Sequence, residues 1–377
     1  MATRRGRALL LGAISLFVGV YVMVHATGCL TSVGGTSAGL RLLRMQRSTQ
    51  FAEGVFHNYA PTSVMKAGSA FAVAKLWFST ERQRPSSPLP SVALTAAAFA
   101  DPPLDDVRFA WLGHSSVLVE FEGQRLLFDP MWSERASPLA LVGPRRYQPV
   151  PLPITEVPAL AAVVISHDHY DHLDRDTIVQ LARQDPRLPF YVPLGVGAHL
   201  ERWGIEPARV FELDWWEEGV LRDGHTRLVS TPTQHFSGRG PLDRNTTQWT
   251  SWAVVGRQRR VYFGGDGGYS ADFHEIGRRL GPFDLTMIEI GAYNELWGTI
   301  HAGPENALGA HLDLAGRVLL PIHWGTFSLG VHPWDEPIRT LVARAKDAQV
   351  TIVTPMLGEL VRLREPPAVR EWWAGID

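Results

Sequence analysis

Ser166-His167-Asp168-His169-Tyr170-Asp171-His172 is the stretch on which the fold turns. It follows a short β-branched run, residues 161–165, that reads as a buried strand. Four metal-binding side chains fall within six residues, 167–172. In an extended loop His167 and His169 point the same way and can chelate one ion. Asp171 and His172, just beyond, can turn toward a second. Imidazole and carboxylate suit zinc in four- or five-coordinate sites. The bland alternative, a solvated polar loop, gives no reason for ligand types to gather at a strand end.

Three further stretches each place one ligand-type residue after an expected strand. Thr233-Gln234-His235-Phe236-Ser237 follows the run 227–231, and Phe263-Gly264-Gly265-Asp266-Gly267-Gly268 follows 260–263. Pro321-Ile322-His323-Trp324-Gly325-Thr326 follows 318–322. Loops at strand ends build sites on a rigid scaffold, and the glycines around Asp266 would let backbone crowd a ligand. A lone His after a strand is more often a core or surface residue; the order of these three after the cluster is what gives them weight. Asp129, ending the run 125–128, is a candidate to accept the outer N–H of a metal-bound His. His114, ending the run 107–112, either lines the same site or is a satisfied core residue. Asp168 is expected to be exposed, and Asp174 to cap a helix over 174–183.

The pattern becomes regular near residue 105. Runs at 107–112, 116–121 and 125–128 read as a meander with a tight turn at Glu122-Gly123. Further strands are expected at 191–193, 209–212, 227–231, 251–255, 260–263, 285–290, 318–322 and 350–353. Helices are expected at 269–280, at 304–314 with Pro in its first turn, and at 335–345. Strands come first in a run and then alternate with helices. That order suits an α/β (α+β) protein with two sheets sandwiched between helices rather than one parallel sheet.

The 377 residues are 45% hydrophobic and 20% charged, enough for a real core. A net charge of −2 lacks the basic excess of a nucleic-acid binder. Thirteen Trp suit interfaces, membrane surfaces or ligand clefts, or a large core. The single cysteine, Cys29, excludes an intrachain disulfide and a cysteine-based zinc site. Arg4, Arg5 and Arg7 precede an apolar run at 8–26, the layout of an export signal or anchor. Ala26-Thr27-Gly28-Cys29 also looks like a degraded lipobox, so lipoprotein attachment through Cys29 stays open. The basic start puts the domain across the membrane from the cytoplasm; a cytoplasmic location is the alternative. The expected organisation is therefore a signal or anchor at 1–30, an irregular segment wrapped on the domain at 31–104, and the compact domain at 105–377.

The order His-x-His-x-Asp-His, then His, then Asp, then His resembles the metallo-β-lactamase superfamily. The resemblance implies a four-layer αββα sandwich and a hydrolase with two Zn(2+) per chain. In that pattern His167, His169 and His235 hold one ion, Asp171, His172 and His323 the other, and Asp266 bridges both. Iron or manganese would suit the same ligands. Trp111-Leu112-Gly113-His114-Ser115-Ser116, the stretches 128–138 and 143–147, Gly265-Asp266-Gly267-Gly268-Tyr269 and His323-Trp324-Gly325-Thr326-Phe327 are similar to the N-acylphosphatidylethanolamine-hydrolysing phospholipase D branch. That likeness covers about residues 105–335. It implies a phosphodiester or other ester substrate, a membrane surface as partner, and a catalytic set of Asp171, Asp266 and His301, with His301 facing the phosphate. Trp215-Trp216, Tyr293 and Trp297 either line an acyl cleft or pack between sheet and helices, and Arg145-Arg146 either meet phosphate head groups or an anionic membrane surface, or are simply solvated. A lactonase or sugar-phosphate lactonase on the same site is the first alternative, and an envelope protein with a structural metal the second. A homodimer is compatible with all three.

Overall fold

The structure, a computed structural model, describes residues 29–377. The expected signal or anchor at 8–26, with Arg4, Arg5 and Arg7, lies outside the described residues. Among those described, no helix is long and apolar enough to cross a membrane.

The strands in chain order are β1 (Phe51–Ala52), β2 (Val55–Phe56), β3 (Val107–Gly113), β4 (Ser116–Phe121), β5 (Gln124–Phe128), β6 (Ala162–Val164), β7 (Phe190–Pro193), β8 (Val210–Leu213), β9 (Glu218–Val220), β10 (Arg227–Thr231), β11 (Ser251–Val255), β12 (Arg260–Phe263), β13 (Phe283–Glu289), β14 (Gly316–Ile322) and β15 (Leu360–Arg362). β1 and β2 pair as a small hairpin. The others form a seven-stranded sheet, β15-β3-β4-β5-β6-β7-β8, and a six-stranded sheet, β14-β13-β12-β11-β10-β9. The turn between β4 and β5 has positive φ at Glu122 (48°) and Gly123 (76°), and Phe121 pairs with Gln124. This is the two-residue hairpin turn whose twist matches the flanking strands.

Alternation along β3–β5 sorts side chains to two faces. Phe109, Trp111, Val119 and Phe128 face the six-stranded sheet, packing with Trp252, Val254, Phe263 and Leu285. Phe128 stacks on Phe263 with ring centroids 4.8 Å apart. Each such buried side chain contributes roughly 1.5–3 kcal/mol of transfer free energy. The other face carries Ala110, Leu112, Leu118 and Leu127, covered by Ile178 and Leu181 of helix Arg175–Gln184. The six-stranded sheet is covered outside by Ile276, Ala307, Ile338 and Leu341 from helices Asp272–Leu280, Gly303–Asp313 and Glu336–Asp347. Two sheets packed face to face between helix layers are the expected αββα sandwich.

β5 and β6 are parallel, as are β12, β13 and β14. Their carboxyl ends therefore lead into loops at one edge of each sheet, where an open α/β sheet builds its sites.

Three differences from the sequence expectations have local causes. Residues 350–353 form no strand; only a bridge from Leu319 to Ile352 forms. Leu360–Arg362, a short edge strand on β3, was not foreseen. The segment expected to be irregular holds helices Gly39–Met45 and Ala70–Ser79 beside the small hairpin. Its periodicity is weak because it packs by a few anchors: Met45 and Phe56 bury against Leu194, Trp215 and Trp249. Arg41 pairs with Glu201 and Glu212. Gly35 lies so close that a Cβ would come within 2.3 Å of the Ala198 carbonyl.

Candidate metal centre

Seven of the expected site residues converge at the carboxyl ends of the strands. The loop after β6 brings His167 and His169 together, with Nε2 of the first 2.8 Å from Nδ1 of the second. The loop after β10 adds His235, whose Nε2 is 3.3 Å from the same His169 Nδ1. The loop after β12 adds Asp266, with Oδ2 3.9 Å from His167 Nε2 and 3.8 Å from His235 Nε2. On its other side the same oxygen lies 3.2 Å from Nε2 of both His172 and His323. Asp171 Oδ2 closes this second group at 3.4 Å from His172 and 3.5 Å from His323. One carboxylate thus stands between two clusters, each compact enough for its donor atoms to share an ion.

Strand ends give these side chains their aim at a cost in backbone strain. His114, Asp129 and His323 all have left-handed φ, at 51°, 37° and 64°. Such conformations cost about 1–3 kcal/mol each and persist only where the surroundings fix them. The His323 N–H donates to the His114 carbonyl, and the His114 N–H to Thr326 Oγ1. Gly291 is required here, since a Cβ would sit 2.1 Å from the His323 carbonyl oxygen. The glycines around Asp266 serve a different end from the expected one. They admit the protein's own neighbours, Thr233 Oγ1 at Gly267 and the Thr299 carbonyl at Gly268.

Asp129 is fully buried and accepts from Ser166 N, Ser166 Oγ and His172 Nδ1, the last at 2.7 Å. It therefore fixes the His172 ring with Nε2 facing Asp266. His114 places Nε2 2.9 Å from Asp171 Oδ2 and steadies that carboxylate. Asp174 caps helix Arg175–Gln184 by accepting from Asp176 N. It also takes the Trp132 and Ser133 N–H groups, tying the loop after β5 to the helix.

His301 follows a loop beyond β13, and its Nδ1 lies 2.6 Å from Glu289 Oε2. Glu289 also accepts from Gly267 N at 2.8 Å and Ala302 N at 3.2 Å. Sequence inspection overlooked Glu289. The available signal was a carboxylate ending the otherwise apolar run of β13, because buried acids need partners. His301 borders a cleft of about 780 Å³ with Lys66, Tyr293 and Trp297.

Two expectations are corrected, those for Asp168 and for Trp215-Trp216. Asp168 is buried, accepting from Thr247 Oγ1 and Gly238 N beside His199 Nε2, because its loop folds back onto residues 237–247. Trp215 is buried away from the cleft, with Nε1 donating to the Trp249 carbonyl, and Trp216 lies beneath Arg279. Arg145 pairs with Glu134, while Arg146 donates to the Ser133 and Met131 carbonyls and covers Phe327. Both arginines serve the loop after β5.

The electrostatics divide the two clusters. Burial, with neighbouring imidazoles adding to it, holds His167 well below the usual histidine range. Burial also holds His235 well below it, against the pull of Asp266. Burial opposes the charged form of His172 and His323 too, but Asp266 and Asp171 overcome it, leaving His172 well above the usual range and His323 near 10. The carboxylates therefore favour positive charge within this cluster. His172 Nε2, both ring nitrogens of His323 and Asp266 Oδ1 are buried without a hydrogen-bond partner among the described residues. Of these, His172 Nε2 and His323 Nε2 face the same Asp266 oxygen, an arrangement that fits a divalent cation.

Residues 124–324 match the beta-lactamase superfamily domain. A Mycobacterium tuberculosis protein of uncharacterised activity is 42% identical over 98% of this chain and 99% of its own. N-acyl-phosphatidylethanolamine-hydrolyzing phospholipase D 1 of Caenorhabditis elegans is 38% identical over 66% of this chain and 74% of its own. The solved structure of Igni18, a metallo hydrolase of Ignicoccus hospitalis, superposes with a TM-score of 0.54 at 19% identity, covering 68% of this chain and 98% of that one. With its ligand-type residues gathered at the strand ends of an αββα sandwich, the chain belongs to the metallo-β-lactamase superfamily and is a metal-dependent hydrolase related to the N-acyl-phosphatidylethanolamine-hydrolysing phospholipases D.

Proposed function

We propose that this protein is a di-zinc phosphodiesterase that cleaves a glycerophospholipid in the phospholipase D manner, N-acyl-phosphatidylethanolamine or a close analogue being the substrate. The observation that carries this reading is the single Asp266 carboxylate between two buried donor clusters. His167, His169 and His235 would hold one ion, and Asp171, His172 and His323 the other, with Asp266 shared. Two bound divalent ions supply Lewis acidity toward phosphoryl oxygens and a water ionised near neutral pH.

The chain's own groups do the rest. His114 and Asp129 hold Asp171 and His172 in place, so the cluster these two share with His323 need not reorganise as charge develops. Glu289 fixes His301 through Nδ1, and the remainder of the ring borders the cleft, where it would face the phosphoryl group of a bound substrate. In the reaction water oxygen joins phosphorus and the phosphorus–oxygen bond to the ethanolamine breaks, giving phosphatidic acid and an N-acylethanolamine. Tyr293 and Trp297 offer apolar walls to an acyl chain, and Lys66 a cation to the phosphate. Phe71 is 84% exposed on helix Ala70–Ser79, with Lys75 one turn on, a surface suited to a bilayer interface.

The test is product analysis by mass spectrometry after incubating zinc-loaded protein with N-acyl-phosphatidylethanolamine vesicles and, separately, a lactone panel. Phosphatidic acid release that D171A and H172A abolish supports the reading. Lactone hydrolysis without phospholipid cleavage would replace it with the lactonase alternative.

A further inference from the structure

His235 is supported differently from the histidines of the loop after β6. Its ring Nδ1 lies 2.9 Å from the Ile300 carbonyl. Its backbone is gripped from a distant part of the chain: Asn58 Nδ2 donates to the His235 carbonyl at 2.8 Å, and the His235 N–H donates to Asn58 Oδ1 at 3.1 Å. The same oxygen accepts from Trp249 Nε1 at 2.9 Å. Trp249 is buried and also donates to the Thr233 carbonyl at 3.0 Å, two residues before His235.

The ring's support traces to the same segment. Ile300 ends a loop that residues 63–66 pair with through the backbone. Gly298 N donates to the Val64 carbonyl at 3.0 Å, Thr299 N to Ser63 at 3.2 Å, and Lys66 N to Leu296 at 2.9 Å. Ser69 Oγ adds a bond to the Leu296 carbonyl at 3.1 Å. At Gly298 a Cβ would meet the Ser63 carbonyl oxygen at 1.3 Å, so the two segments are built to touch. Residues 58–66 therefore hold His235 at its backbone directly and at its ring through Ile300.

We infer that Asn58 is a positioning residue for His235, and that the segment before the sheets is part of the metal centre. This rests on the proposed reading of His235 as a ligand. Polar groups that orient a metal-bound His typically matter 10- to 100-fold in metal affinity. Asn58 acts on the backbone at both sides of the ligand's peptide, which an amide can do because it offers donor and acceptor together. Removing it leaves the His235 N–H and carbonyl short of a partner, leaves the Trp249 indole only the Thr233 carbonyl, and frees the ligand to drift.

The experiment is titration of metal-stripped, full-length protein with Co(2+), followed by visible absorption, for wild type, N58A, N58D and H235A. H235A identifies the uptake step that belongs to His235. N58A is expected to weaken that step about tenfold or more while the other stays within about twofold. N58D keeps the acceptor for His235 N and Trp249 Nε1 but loses the donor and sets a carboxylate oxygen against the His235 carbonyl, so the same step is expected to weaken. If N58A does not fold, N58D is read by the same criterion. Two unaltered steps, or two steps weakened alike, overturn the inference. Wild-type protein that takes up no metal overturns the reading of the centre itself, a separate failure.

Discussion

The two sheets contribute to the site in opposite styles. The seven-stranded sheet delivers His167, His169, Asp171 and His172 from one loop after β6, with Asp129 and His114 from the ends of β5 and β3 as supports. The six-stranded sheet delivers its groups singly: His235, Asp266, Glu289 and His323 each come from a different strand end. A contiguous loop fixes spacing through covalent geometry. Scattered ligands depend on sheet register and on glycines that allow close approach, such as Gly267 and Gly291. The first kind of half-site survives local change; the second makes the two halves into one centre, through Asp266.

The largest effect should come from the shared carboxylate. On the proposed two-ion reading, D266A is expected to lose both metals and to reduce turnover roughly a thousandfold or more, while H169A retains one metal. Metal content by atomic emission checks this, and two metals retained in D266A would break the contrast between the halves. The next test compares supports. D129A strands three donors in the seven-stranded half, so metal affinity should fall 10- to 100-fold and stability by about 3 kcal/mol. E289Q in the other half should leave metal content largely intact and lower kcat about tenfold or more, since Glu289 bonds His301 directly and reaches the proposed ligand Asp266 only through Gly267 N. Calorimetric metal titration beside steady-state kinetics separates them; loss of metal in E289Q would erase the distinction.

The smallest effect lies away from the centre, under the outer helix layer. His311 on helix Gly303–Asp313 is held down to about 4 by burial, against 6.5 when free. Between those values the folded chain keeps His311 neutral while the unfolded chain takes up a proton. Its contribution is therefore intact above about pH 6.5 and lost as pH falls toward about 4, by about 3 kcal/mol at most. H311Q should flatten that part of a denaturation-versus-pH curve, and an unchanged slope would remove His311 as its source.

What could be read without coordinates follows the same division. The His167–His172 cluster was legible because its chemistry and its spacing lie within one turn of chain. The strands around it were legible from alternation, and residues 116–121, 227–231, 251–255 and 260–263 fall where that pattern places them. Asp168 was misjudged because neighbouring polar residues look alike in sequence, and only Thr247, Gly238 and His199 make it a buried acceptor. Trp215 was drawn toward the cleft by its aromatic character, whereas Met45 and Phe56 claim it for a small core.

By itself the sequence determined the donor-type side chains, their order and the two-sheet architecture, because strand alternation and donor chemistry are local properties. Only the tertiary structure decided that Asp266 stands between both clusters, that Glu289 governs His301, and that Asn58 grips His235. Those relations join residues far apart in the chain, and their distances exist only once sheet register and strand-end loops have been set.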